Sequence, residues 1–156
     1  MKDSNFLQEN NARHMWHPMG APGDMQSNAP TIITRADGVR IFDIDGHSTV
    51  DAVGGLWCVN VGYSNDAVKQ AIADQLVELP YYSAFAGSSN DKAIELSYML
   101  RDFFEPDGMT RAFFTSGGSD SVETALRLAR QYHRIKGQPT RTKFLSLKRG
   151  YHGTHF

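Results

Sequence analysis

Cysteine is almost missing: Cys58 is the single one among 156 residues, so no disulfide forms within the chain and a reducing, cytoplasmic setting is expected. Long apolar runs are missing too, and Met1-Lys2-Asp3-Ser4-Asn5 lacks the apolar stretch of a secretory signal, so neither the membrane nor export is expected. No charge of one sign prevails. Sixteen Lys and Arg stand against 17 Asp and Glu, a formal net charge of -1, which leaves no basic footprint for nucleic acid or an anionic membrane. The commonest nucleotide signatures, Gly-x-x-x-x-Gly-Lys-Ser/Thr and Gly-x-Gly-x-x-Gly, do not occur, which disfavours nucleotide triphosphatases and dinucleotide dehydrogenases. What is present is 40% hydrophobic and 11% aromatic residues, enough to bury a core. Wholesale disorder is excluded.

Residues 1–30 mix Asn, Gln, Pro and Gly without periodicity, and His17-Pro18-Met19-Gly20-Ala21-Pro22-Gly23 is unsuited to a helix interior. An extended arm is expected, with Met15, Trp16 and Met19 packed on something. Strands follow: Thr31 to Arg35, a turn at Ala36-Asp37-Gly38, Val39 to Ile44, a turn at Asp45-Gly46, and Ser48 to Ala52. Asp43-Ile44-Asp45-Gly46 superficially matches the start of a calcium loop, but its glycine stands fourth rather than sixth and no Glu stands twelfth. The hairpin is the better reading. Apolar spacing then predicts three helices. The first starts near Asn65 or Asp66 and stops before Pro80, and the second starts near Asn90 or Asp91 and stops before Pro106. The third runs from Ser119 to Lys136, with Asp120 and Glu123 spaced as a capping box and Gly137 as its stop.

Around the third helix lies the chemistry. Arg111 to Thr115 reads as a buried strand that runs into Ser116-Gly117-Gly118-Ser119, and the helix returns through Gly137-Gln138-Pro139 to a second strand, Lys143 to Leu147. This is a βαβ unit with two parallel strands. Its ligand belongs at the carboxyl ends of those strands. There the Gly-Gly-Ser turn offers close backbone donors, the helix start adds N–H groups, and Ser119 adds a hydroxyl, an arrangement suited to phosphate. The second strand delivers Arg149-Gly150-Tyr151-His152-Gly153 to the same edge. Donors at one end and an aromatic ring at the other suit a planar phosphorylated ligand.

Phe113-Phe114-Thr115-Ser116-Gly117-Gly118-Ser119-Asp120-Ser121-Val122-Glu123-Thr124-Ala125-Leu126-Arg127-Leu128-Ala129-Arg130 resembles the phosphate-binding signature of class III (omega) aminotransferases, which use pyridoxal 5'-phosphate (PLP). Gly150-Tyr151-His152-Gly153 is similar to their cofactor-stacking motif. Gly54-Gly55-Leu56-Trp57-Cys58-Val59-Asn60-Val61-Gly62-Tyr63 is similar to the omega-amino acid or amine:pyruvate branch. The resemblance extends from about His14 onward. It implies an α/β fold-type I PLP-dependent transferase, with residues 1–60 as an N-terminal arm and small-domain β-hairpin and 61–156 as the first part of the large, PLP-binding domain. It also implies that Gly117, Gly118 and Ser119 cradle the phosphate, that Tyr151 stacks on the pyridine ring, and that His152 is its positional neighbour. Trp57 is implied as a wall of the substrate pocket, which Tyr151 also borders, and Phe85 as an aromatic reaching into the partner's site of a homodimer. The family often has Ser or Asn around positions 116 and 117, so Gly117 forgoes a hydroxyl but keeps its N–H.

The implied activity moves an amino group from an amine or omega-amino acid, such as β-alanine or a diamine, to pyruvate in two half-reactions. The alternatives are another class III enzyme (an aminomutase, decarboxylase or racemase) or a non-catalytic fragment that only binds phosphate or dimerises. The reaction needs a Schiff-base lysine and an acidic partner for the pyridine nitrogen. None of Lys2, Lys69, Lys92, Lys136, Lys143 and Lys148 stands in that context. No catalytic residue is therefore assigned, and the 156 residues are expected to be an inactive N-terminal part of a longer protein. No metal is expected, since His14-x-x-His17 and His152-x-x-His155 lack matching Cys or carboxylate ligands. Cys58, in an apolar run, is expected to be a buried thiol, and Glu123 to be structural.

Overall fold

Two antiparallel pairings build the sheet of the computed structural model, which describes residues 3–155. β1 (Ile33–Asp37) pairs with β2 (Arg40–Asp43), and β2 pairs with β3 (Ser48–Val50). The register sets Ala36 opposite Ile41 and Ile41 opposite Thr49, with an irregularity between Ile33 and Arg35. Gly38, at φ 56°, makes the first turn. At the second, Asp43 accepts the backbone N–H groups of Asp45 (3.0 Å) and His47 (2.8 Å). The expected hairpin forms, with β1 ending two residues later than expected.

The chain divides into two compact units, one ending at Tyr81 and one beginning at Tyr82. The first holds α1 (Ser4–His14), α2 (Pro22–Ser27), the sheet, a single helical turn α3 (Gly54–Trp57) and α4 (Asp66–Glu78). The second holds α5 (Asp91–Phe103), a 3-10 turn (Glu105–Asp107) and α6 (Gly118–Ile135).

Three expectations are corrected. Residues 3–30 do not form the extended arm expected of 1–30, because Asp3 caps α1 and Pro22 opens α2. Phe6 and Leu7 are the only large apolar residues of α1, too few to form a recognisable stripe. Met15, Trp16 and Met19 remain exposed, and Met25 is the buried hydrophobic of that region, with its Sδ packed at Gly20. Finally, Arg111–Thr115 and Lys143–Leu147 pair with no strand among the described residues, so the expected parallel pair is not formed. A crossover does not oblige its two strands to be neighbours.

The helices start where the sequence placed them. Asn65 accepts the Val68 N–H (3.1 Å) to cap α4, and Asn90 accepts the Ala93 N–H (2.9 Å) to cap α5. Gly137, left-handed at φ 74°, follows α6. No helix among the described residues is long and apolar enough to cross a membrane. Phe113, Leu145 and Leu147 are exposed, so this stretch leaves apolar surface uncovered.

Candidate functional site

The start of α6 is open in an unusual way. Gly117 is its N-cap, in extended backbone at φ -176°, and no side chain caps the helix. Neither Gly117 nor Gly118 has a positive φ, and a Cβ added to either would meet nothing within 4 Å. Conformation and internal packing therefore do not call for glycine here. Close approach of a ligand would. The first N–H groups of the helix have no intrahelical acceptor and sit at the positive end of its dipole.

Hydroxyl groups hold this loop from one side. Ser121 Oγ and Thr115 Oγ1 both donate to the Gly117 carbonyl, at 3.0 and 3.1 Å, and lie 2.5 Å from one another. The expected capping box is absent, because its first member must hold the N-cap, and Gly117 rather than Asp120 stands there. Asp120 instead accepts from Ser116 Oγ and pairs with His155 Nε2. Glu123 pairs with Arg127 at 2.8 Å, a structural contact.

The tail of the chain returns to this helix start. Leu147 to Gly150 form a turn closed by the Gly150 N–H on the Leu147 carbonyl (3.0 Å), with Arg149 left-handed at φ 66°. Gly153, at φ 105°, then packs on Ser119, and the Thr154 N–H donates to Ser119 Oγ at 3.3 Å. His152, Gly153 and His155 line a small cavity of about 40 Å³ with Ser119, Val122 and Leu126. Gly117, Gly118, Ser119 and His152 are thus gathered at one end of α6. Tyr151 lies in the same segment, is 68% exposed and does not line that cavity.

The two aromatic candidates belong to different units. Phe85, in the second, is exposed on a turn fixed by the Ser83 hydroxyl and Ser88. Trp57, in the first, is 77% exposed on α3. Cys58 is exposed, which corrects the expected buried thiol. Its apolar neighbours Leu56, Trp57 and Val61 face outward rather than into a core.

Sequence reasoning missed Ser116, Asp120, Ser121, Thr154 and His155. The clustering of hydroxyls around the glycine pair was the available signal. It also did not single out Asp51, whose carboxylate accepts from Tyr63 Oη (2.5 Å) and the Gly55 N–H (2.6 Å). The Tyr63 hydrogen bond, then that of Gly55, holds the Asp51 carboxyl below its ordinary value, while Asp51 pushes the Tyr63 phenol up. Asp43, Asp45 and His47 bring ligand atoms within 4.8 Å of one another. Asp43 spends both oxygens on the turn itself, on two N–H groups and on the His47 ring (3.0 Å).

Residues 23–156 match the family model of class-III aminotransferases. The putrescine–pyruvate aminotransferase of Pseudomonas aeruginosa is 42% identical over 123 residues, 79% of this chain and 27% of that protein. The diaminobutyrate–2-oxoglutarate transaminase of Halomonas elongata is 39% identical over 123 residues, again 79% of this chain and 26% of its own length. Among solved structures, a PLP-bound amine transaminase from an uncultivated Pseudomonas species superposes with a TM-score of 0.85 at 48% identity, covering 92% of this chain and 32% of that one. The chain thus spans roughly a quarter to a third of the relatives it matches.

Proposed function

Since this chain belongs to the class-III aminotransferase family and shares the fold-type I architecture of its solved members, we propose that the whole protein is a PLP-dependent transaminase. It transfers an amino group from an amine or omega-amino acid to pyruvate. The observation that carries this reading is the glycine pair at the uncapped start of α6, with open space above it and the Gly153–Thr154 backbone held against Ser119. These residues fit a phosphate: N–H donors, a helix N-terminus, a hydroxyl and no obstructing Cβ.

When bound, PLP supplies an electron sink for the substrate carbon that loses its proton. This chain's part is binding and placement. Gly117, Gly118 and Ser119 hold the phosphate by backbone donors and the Ser119 hydroxyl. Ser121 and Thr115 fix the loop through the Gly117 carbonyl, and Asp120 is kept aside by Ser116 and His155. Tyr151 offers its exposed ring as the stacking face, with His152 as its positional neighbour. Trp57 walls the donor pocket and Phe85 reaches the partner subunit's site in a homodimer, which its open position on a turn supports. We assign 1–60 to the arm and small domain, 61–156 to the large domain, and the cytoplasm as compartment. No catalytic residue is assigned among the six lysines.

The test is a donor panel (putrescine, β-alanine and benzylamine) on the full-length protein, with pyruvate and 2-oxoglutarate as alternative acceptors. Turnover of amines with pyruvate is expected. Turnover with 2-oxoglutarate alone, or with neither acceptor, overturns the reading.

A further inference from the structure

Gly54, Gly55, Leu56 and Trp57 follow one another at φ 60°, 59°, 59° and 68°. The Trp57 N–H reaches the Val53 carbonyl and the Cys58 N–H the Gly54 carbonyl, both at 2.9 Å. This is one turn of left-handed helix. L-residues with a Cβ resist that conformation, so Leu56 and Trp57 persist in it only if surrounding structure imposes it. The Trp57 ring is too exposed for packing to hold it. Its place is set by its backbone.

What imposes the turn is visible. Asp51 accepts the Gly55 N–H through Oδ2 at 2.6 Å and the Val53 N–H through Oδ1 at 3.2 Å, one carboxylate gripping the turn at two points. Oδ2 also accepts the Tyr63 hydroxyl at 2.5 Å. Both residues are anchored to the β1–β2 turn: the Asp51 N–H on the Val39 carbonyl (2.9 Å) and the Tyr63 N–H on the Gly38 carbonyl (2.7 Å). The fit is close, because a Cβ on Gly55 would lie 3.3 Å from Tyr63 Oη and 2.7 Å from Val59 Cγ2. A rigid path thus runs from the sheet through Tyr63 and Asp51 to Gly55, two residues before Trp57.

We propose that Asp51 and Tyr63 are positioning residues that clamp this left-handed turn, fix the placement of Trp57 and thereby set selectivity among amine donors. The proposal rests on the reading of Trp57 as a wall of the donor pocket. Neither residue belongs to the proposed phosphate cradle, so the clamp acts on donor KM rather than on cofactor binding.

The test compares Trp57→Ala, Tyr63→Phe and Asp51→Asn in the full-length enzyme, using ethylamine and benzylamine as donors. Tyr63→Phe removes one hydroxyl and keeps the ring, so it remains informative even where Asp51→Asn fails to fold. Tyr63→Phe is expected to change the benzylamine-to-ethylamine ratio of kcat/KM about fivefold, through KM, with PLP affinity unchanged. In a Trp57→Ala background it is expected to change nothing further, the non-additivity of groups acting as a unit. If Trp57→Ala shifts the ratio but neither Tyr63→Phe nor Asp51→Asn does, the clamp is wrong and the pocket reading stands. If Trp57→Ala leaves the ratio unchanged, the pocket reading falls and the selectivity role falls with it. The 19F resonance of 5-fluorotryptophan at position 57, assigned by Trp57→Phe, reports the clamp separately. An unchanged resonance in Tyr63→Phe overturns it.

Discussion

Ser119, at the start of α6, and Gly153, near the far end of the sequence, touch so closely that a Cβ on Gly153 would lie 2.8 Å from Ser119 Cα and 3.0 Å from its Oγ. Gly153 also has φ 105°, where a side chain is strained whatever the space. The contact joins the two segments from which the proposed site is built, the glycine loop and the aromatic motif. Gly153→Ala is therefore expected to cost about 1–3 kcal/mol through overpacking and backbone strain. It should lower both the thermal midpoint of the full-length protein and its PLP affinity. Calorimetry and absorbance titration check the two effects, and an unchanged midpoint would contradict the contact.

That contact was partly legible in the sequence. The strand–helix–strand order predicted that residues 149–153 return to the start of α6, and His152 and Gly153 of that segment do. Caps were legible as well: Asn65 and Asn90 precede helical stretches and both cap them. The left-handed turn was not legible, since Leu56 and Trp57 break the local rule that such positions take glycine. Nor was the exposure of Cys58, because an apolar run reads as buried unless its backbone path is known. The glycines at 117 and 118 were legible as a loop, but only the geometry shows that nothing among the described residues requires them.

Asn90→Ala removes the acceptor for the Ala93 N–H and is expected to destabilise the first turn of α5 by about 1 kcal/mol. Hydrogen exchange at the Asp91–Ile94 amides should quicken about fivefold, and Asn90→Asp should restore it. Unchanged exchange in Asn90→Ala would show that the cap carries no weight.

The Asp51–Tyr63 hydrogen bond has a definite pH window. Asp51 is depressed, chiefly by Tyr63, so its contribution is present above its unfolded value of 3.8 and is lost as pH falls through the lower folded value. Tyr63 is raised by Asp51, so its contribution is present below 10.0 and is lost as pH rises through the higher folded value. The 19F signal of position 57 should therefore stay flat across neutral pH and move only at the two extremes. Tyr63→Phe should abolish the alkaline limb. A transition near about pH 7, closer to an ordinary histidine, would contradict the assignment.

Ser119→Ala deletes the acceptor for the Thr154 N–H and a hydroxyl of the proposed cradle. Cofactor affinity should fall about tenfold. Ser119→Thr keeps the hydroxyl and should recover part of that loss. Equal affinities in all three proteins would remove Ser119 from the site.

The central claim is that the start of α6 holds the phosphate group. The direct measurement titrates the full-length protein and its Gly118→Ala variant with PLP and with pyridoxal, which lacks the phosphate. A Cβ at 118 meets nothing within 4 Å among the described residues, and it enters the space assigned to the phosphate. Gly118→Ala is expected to weaken PLP binding about tenfold or more while leaving pyridoxal affinity and thermal midpoint unchanged. Equal PLP affinity in variant and wild type, or equal losses for both ligands, would contradict it.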